Sequence, residues 1–309
     1  MSQPRPWAPS DRERDAWAIL AGVRGIGPVA FAALLVRFGD ALSILSEASA
    51  PGGIARLTAR SDDLGPHDAD GAITPEVAGA IADAAQRADA TLARIRGLGL
   101  TVLTIEDPLY PLRLASIDMP PHVLFVLGDP AALSEDAAIA IVGTRRATDA
   151  GRAFAARLAT NLIAVGAAVV SGLAVGIDGA AHAAAVHAHG TTVAVIGSGH
   201  AVLHPRAHSR LAASIVAAGG AVISELGPDI APSKGTFPRR NRIVSGLADA
   251  TVVVEAPARS GALITASWAL EQGRECFFVP GAIDAPASAG CLSYLREFPG
   301  RARIVAGIP

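Results

Sequence analysis

Cysteine is almost missing from these 309 residues. The two present, Cys276 and Cys291, have neither a metal-binding nor a redox spacing, which excludes a disulfide-stapled scaffold and predicts a reduced, cytoplasmic setting. Charge is sparse as well: 17% charged against 51% hydrophobic residues excludes a disordered chain and predicts a substantial buried core. Much of the apolar fraction is alanine, which suits helices packed closely on a sheet. No apolar run reaches the ~20 residues of a membrane span, since the most apolar stretch, Leu162 to Ile177, is broken by Gly166, Gly172 and Gly176. Residues Met1 to Asp15 are rich in proline and charge and lack the apolar run of a signal peptide. A net charge of −2 excludes a broadly basic surface, so any polyanion site has to be a local patch. Lysine is rarest of all. Lys234 is the one lysine among 26 basic residues, and it falls in the densest basic segment.

What is present divides the chain at about residue 70. Residues 1–70 read as a small helical domain, in which Gly25-Ile26-Gly27-Pro28 before an apolar helix resembles a helix-hairpin-helix turn. An ordinary helix–helix turn fits the same residues. Residues 61–75 are polar, with Gly and Pro, and read as a linker. In residues 71–309 an alanine-rich helix over about Pro75–Leu98 precedes alternating strands and helices. The strands are expected at Thr101–Ile105, Val123–Leu127, Ala138–Val142, Ala168–Ser171, Thr192–Ile196, Ala221–Ser224, Thr251–Glu255 and Cys276–Val279. Continuous Val/Ile-rich runs separated by helices predict right-handed βαβ units in an open, doubly wound, mostly parallel α/β sheet.

Such sheets bind ligands beyond the carboxyl ends of their strands. The strand ends here carry Gly143-Thr144-Arg145-Arg146, Ser171-Gly172, Gly197-Ser198-Gly199, Ser224-Glu225, and Glu255 followed by Ser260-Gly261 and Thr265. Small residues let backbone amides approach a phosphate, and the helix dipole that follows favours the anion. The segment Lys234-Gly235-Thr236-Phe237-Pro238-Arg239-Arg240-Asn241-Arg242 holds four cations, no acid and an aromatic. Cations for phosphates and a ring for stacking are the composition of a site for single-stranded nucleic acid. Asp178 and Glu255 are expected to orient loops through backbone amides.

These loops, in this order, closely resemble the DNA-processing protein A (DprA/Smf) family over about residues 100–290. The matching pieces are Gly143-Thr144-Arg145, SGLAVGID at 171–178 with Ala181-His182, Ser224-Glu225, FPRRNR at 237–242, Glu255, SGALITA at 260–266 and VPG at 279–281. The resemblance implies an extended Rossmann-like core behind a sterile-alpha-motif-like helical domain. It also implies a homodimer without catalytic activity, metal or cofactor, which binds single-stranded DNA and loads a RecA-type recombinase in transformation. By position it implies a DNA pocket on Arg145, Lys234, Phe237 and Arg239 to Arg242. His204-Pro205 stands where the family usually has Tyr-Pro, and Gly290-Cys291-Leu292 departs from its last motif. The winged-helix domain of many members does not fit in the residues that follow.

Other chemistries lack their parts. There is no Gly-x-x-x-x-Gly-Lys-Ser/Thr loop, and Ile196 and His200 flank Gly197-Ser198-Gly199 where a nucleophile elbow needs glycines. His200, His204 and His208 are spaced like metal ligands, but Pro205 interrupts them and no carboxylate or cysteine is close in sequence. His182 is expected to be a packed residue. The competing reading is a nucleotide-binding or phosphoribohydrolase-like enzyme of the lysine-decarboxylase-like group. Those enzymes resemble one another in a Pro-Gly-Gly-x-Gly-Thr-x-x-Glu loop, where this chain has Arg259-Ser260-Gly261-Ala262-Leu263-Ile264-Thr265.

Overall fold

Residues 9–59 and 73–307 are described by the computed structural model, and the linker expected over 61–75 lies largely outside the described residues. The N-terminal part is helical: α1 (Asp11–Ala21), α2 (Pro28–Phe38), α3 (Ala41–Ser49), α4 (Gly53–Thr58), α5 (Pro75–Gln86) and α6 (Ala88–Gly97). Polar caps start several of these, as where the Ser10 and Thr74 side chains accept from the amides of Glu13 and Val77. The single helix expected over Pro75–Leu98 is two helices meeting at Arg87. Neither glycine nor proline marks that break. The packing register survives it, since Ile81 and Ile95 enter one apolar cluster with Trp17, Phe31 and Leu57. Helices on both sides of the expected boundary at residue 70 therefore share a core.

That cluster also contains Val123 and Phe125, which fastens the helices to the sheet. The sheet has nine strands: β1 (Thr101–Thr104), β2 (Val123–Gly128), β3 (Ala138–Val142), β4 (Ala168–Ser171), β5 (Thr192–Val195), β6 (Ala221–Ser224), β7 (Ala250–Val253), β8 (Glu275–Phe278) and β9 (Ala302–Ile304). Strands β4 to β7 are buried along their whole length, as apolar runs covered on both faces must be. Between β1 and β2 lies α7 (Leu112–Ala115). After β3 to β8 come, in turn, α8 (Asp149–Ala164), α9 (Ile177–His187), α10 (Ser209–Ala217), α11 (Thr236–Gly246), α12 (Gly261–Glu271) and α13 (Ala289–Glu297). Alternate residues of one strand separate to opposite faces. Ala140 and Val142 pack with α11, α12 and α13, whereas Ile141 packs with α8 and α9.

The strand order is β1-β2-β6-β5-β4-β3-β7-β8-β9. β1 and β2 are antiparallel to their neighbours, and the ladder from β6 to β9 is parallel. This is the mostly parallel, doubly wound sheet expected. From β3 the chain winds outward to β4, β5 and β6, then returns to β7 on the other side. The loops after β3 and β7 therefore diverge, and a crevice must open between them. Strand β9 is an addition to the expected set. It is a three-residue edge strand with mostly exposed side chains, so it leaves no apolar run to detect. Among the described residues, no single helix is long and apolar enough to cross a membrane.

Candidate nucleic-acid interface

The crevice at the β3/β7 switch point is an open cleft of about 490 Å³. Its walls are the loops after β3, β4 and β7 and one face of α11. Gly143, Thr144, Arg145, Arg146, Gly172, Phe237, Arg240, Asn241, Ser260, Gly261 and Thr265, all singled out from sequence, line it. Arg259, not singled out, lines it too. Its signal was its place beside Ser260-Gly261 in the loop after β7.

Two carboxylates, Asp178 and Glu255, hold the loops in place. Asp178 accepts from the Gly172 amide at 3.1 Å and the Ala174 amide at 3.4 Å. Burial pushes the Asp178 carboxyl up, and Arg240 together with those amides opposes the rise. The Glu255 carboxylate accepts from the Thr148 amide at 3.0 Å and its hydroxyl at 2.5 Å, at the N-cap of α8. The Glu255 carbonyl accepts from the Thr144 amide at 2.7 Å, which ties the β3 loop to the β7 loop. Both acids thus serve loop geometry, as expected of them.

The arginine-rich run divides. On a helix, successive residues point about 100° apart, so Arg239 to Arg242 cannot share one wall. Arg240 reaches under the cleft floor and is buried. Its guanidinium donates to the Gly172 carbonyl at 2.7 Å and also to the Val195 carbonyl. Burial lowers its pKa to about 10, so it remains charged at neutral pH. A Cβ on Gly172 would collide with that guanidinium, which is why glycine stands there. Arg242 faces the other way, buried in a bidentate pair with Glu225 at 3.0 and 2.6 Å and donating to the Met119 carbonyl. Its expected place in a phosphate site is corrected: Arg242 is a structural ion pair outside the cleft. Arg239 is exposed on a different flank, against Gly27. Lys234 is exposed on the loop before α11 and does not line the cleft. Ser171 is buried beneath it, donating its hydroxyl to the Ile141 carbonyl at 2.5 Å.

Phe237 stands at the cleft wall, half-buried. The Arg145 guanidinium lies 5.3 Å from its ring centroid, within cation–π range, and His204 sits at 5.6 Å on a tilted ring. The three spaced histidines separate: His200 Nε2 lies 3.0 Å from the Val222 carbonyl, His208 Nδ1 lies 2.9 Å from that of Leu173, and His204 packs on Phe237. His182 is packed as expected, fully buried with Nδ1 2.8 Å from the Thr192 hydroxyl.

A doubly wound sheet carrying arginines, glycine loops and one accessible aromatic at its switch point defines an α/β protein with an anion-receptive cleft. Residues 101–308 match the family described as DNA recombination-mediator protein A, and the chain belongs to that family. Protein Smf of Escherichia coli is 44% identical over 189 residues, 61% of this chain and 50% of that protein. DNA processing protein DprA of Bacillus subtilis is 42% identical over 206 residues, 67% of this chain and 69% of that protein. The matches thus span half to about two thirds of these relatives. The X-ray structure of DprA from Streptococcus pneumoniae superposes with a TM-score of 0.73 at 31% identity, covering 94% of each chain. DprA from Helicobacter pylori, solved to describe its single-stranded DNA binding mode, gives 0.60 at 28% identity over 67% of this chain and 92% of that one.

Proposed function

We propose that this chain binds single-stranded DNA without sequence preference, with phosphates on the cleft arginines and a base against Phe237. The observation that carries the reading is the composition of the cleft. Arg145, Arg146, Arg240 and Arg259 line it beside a half-buried aromatic. Asp178 is the one carboxylate among the lining residues, and backbone amides already occupy it. Phosphate contacts and stacking tolerate any base, whereas sequence readout needs hydrogen bonds to base edges.

Family membership and the single-strand binding of the H. pylori relative support the same reading. The strand would be held for a RecA-type recombinase by a homodimer working in the cytoplasm, with no catalytic step. The phosphoribohydrolase-like alternative has less support, because the β7 loop lacks the second glycine and the glutamate of those enzymes.

Fluorescence anisotropy with labelled single- and double-stranded oligonucleotides tests the reading. If about three phosphates are neutralised, log K falls against log salt with a slope near −2 for single strands, at ~0.7 per phosphate. Arg145→Ala weakens binding to every sequence alike. A slope near zero, or equal affinity for double strands, contradicts the proposal.

A further inference from the structure

We infer that a second cleft, of about 450 Å³ between the N-terminal helices and the sheet, holds a further nucleotide of the same single strand. This inference rests on the reading of the first cleft as a single-strand site.

The two clefts flank the first turns of α11. Phe237, Pro238, Arg240 and Asn241 line the first, and Thr236 and Arg239 line the second, as helical spacing requires of two faces. Lys234 is exposed on the loop that leads into this turn and lines neither cleft. A strand leaving the first cleft over the start of α11 passes Lys234 and then meets Arg239. The position of Lys234 outside the first cleft, and the outward turn of Arg239, both follow from one continuous path.

The second cleft has the chemistry of a nucleotide site. Arg24, on the turn before α2, and Arg239 are both exposed at it, and neither pairs with an acid among the described residues. Arg239 lies close against Gly27, where a Cβ would stand 2.9 Å from Nη2, so α11 packs on the Gly-Ile-Gly-Pro turn that follows Arg24. The acid at this cleft, Glu225, is already bound to Arg242. His122 closes one side of the cleft, its ring stacked on that of the buried Phe31 with centroids 4.9 Å apart and planes at 15°. His122 Nδ1 is buried with no hydrogen-bond partner among the described residues. Burial, with the charge of Arg242, holds that ring neutral, its pKa lowered to about 4. A phosphate between Arg24 and Arg239 supplies the anion that these two exposed cations lack.

The test compares labelled oligothymidylates of about four and about twenty nucleotides, lengths that bracket one site and a continued path. The wild-type chain is set against Arg24→Ala and Arg239→Ala, with circular dichroism to confirm folding. Arg24→Ala is expected to weaken the long oligomer by about fivefold and reduce its salt slope by about 0.7, leaving the short one unchanged. Arg239→Ala weakens the long oligomer alone in the same way. Wild-type binding of both lengths with Arg24→Ala indistinguishable on the long one overturns this inference and leaves the first cleft standing. Failure of the wild-type chain to bind either length overturns both readings.

Discussion

Arg240 and Arg242 stand two positions apart on α11 and do opposite work. Arg240 adds charge to the cleft floor while cross-linking the ends of β4 and β5 through the Gly172 and Val195 carbonyls. Gly172→Ala drives a methyl into that guanidinium, and an overpacked contact of this kind costs about 1–3 kcal/mol. The expected result is a lowered unfolding temperature together with weakened DNA binding. Arg242→Ala strands the Glu225 carboxylate, 11% exposed, with no counter-charge. Breaking a buried pair in this way costs about 3–5 kcal/mol. In thermal unfolding, Arg242→Ala therefore lowers the midpoint sharply while Arg145→Ala, at an exposed position, leaves it unchanged. Equal midpoints for the two would refute the division of labour.

His122 and His182 set an acid limit. Burial lowers His122 to about 4 and His182 to about 3, from 6.5. Between 6.5 and those values the unfolded chain takes up protons that the folded chain does not, so stability is lost as pH falls through that window. Urea unfolding near pH 7 and near pH 5 measures the loss. His122→Phe is expected to shrink the difference.

At the scale of elements, the sequence pattern was most legible where one physical demand acts alone. Buried strands need unbroken apolar runs, and β3, β4 and β6 have the bounds expected. The start of α8 is legible from its Thr148 cap. The basic run at 234–242 was legible as a patch but not as a geometry. Counting cations along a chain ignores the helical turn that sends Arg239, Arg240 and Arg242 into three environments. Edge strand β9, with exposed Arg303 and Ile304, carries no pattern at all. Phe125 shows how elements couple: from β2 it enters the apolar cluster of the N-terminal helices, fully buried. Phe125→Ala is expected to cost about 3–5 kcal/mol. Hydrogen exchange should then show α1 and α3 opening more readily than β3 to β7. Uniform deprotection of the whole sheet would argue against that coupling.

For the whole molecule, alternation of strand and helix was enough to foresee a doubly wound sheet, but not the order of its strands. That order is fixed by which strand the chain returns to after β6, a long-range choice with no local signature. It decides that the loops after β3 and β7 part company and that the cleft opens there. The expected boundary at residue 70 was likewise a local inference from polar sequence, while the apolar cluster joins helices from both sides of it.

Three loops around the cleft are tied before any ligand arrives, by Asp178, by Glu255 and by Arg240. Little chain ordering is then left for the moment of capture, and the encounter is governed by diffusion and by the field of the rim arginines. Salt should accordingly slow the association rate steeply, more than it hastens release. Stopped-flow traces at low and physiological ionic strength would display this as a change in the bimolecular slope with a nearly constant intercept.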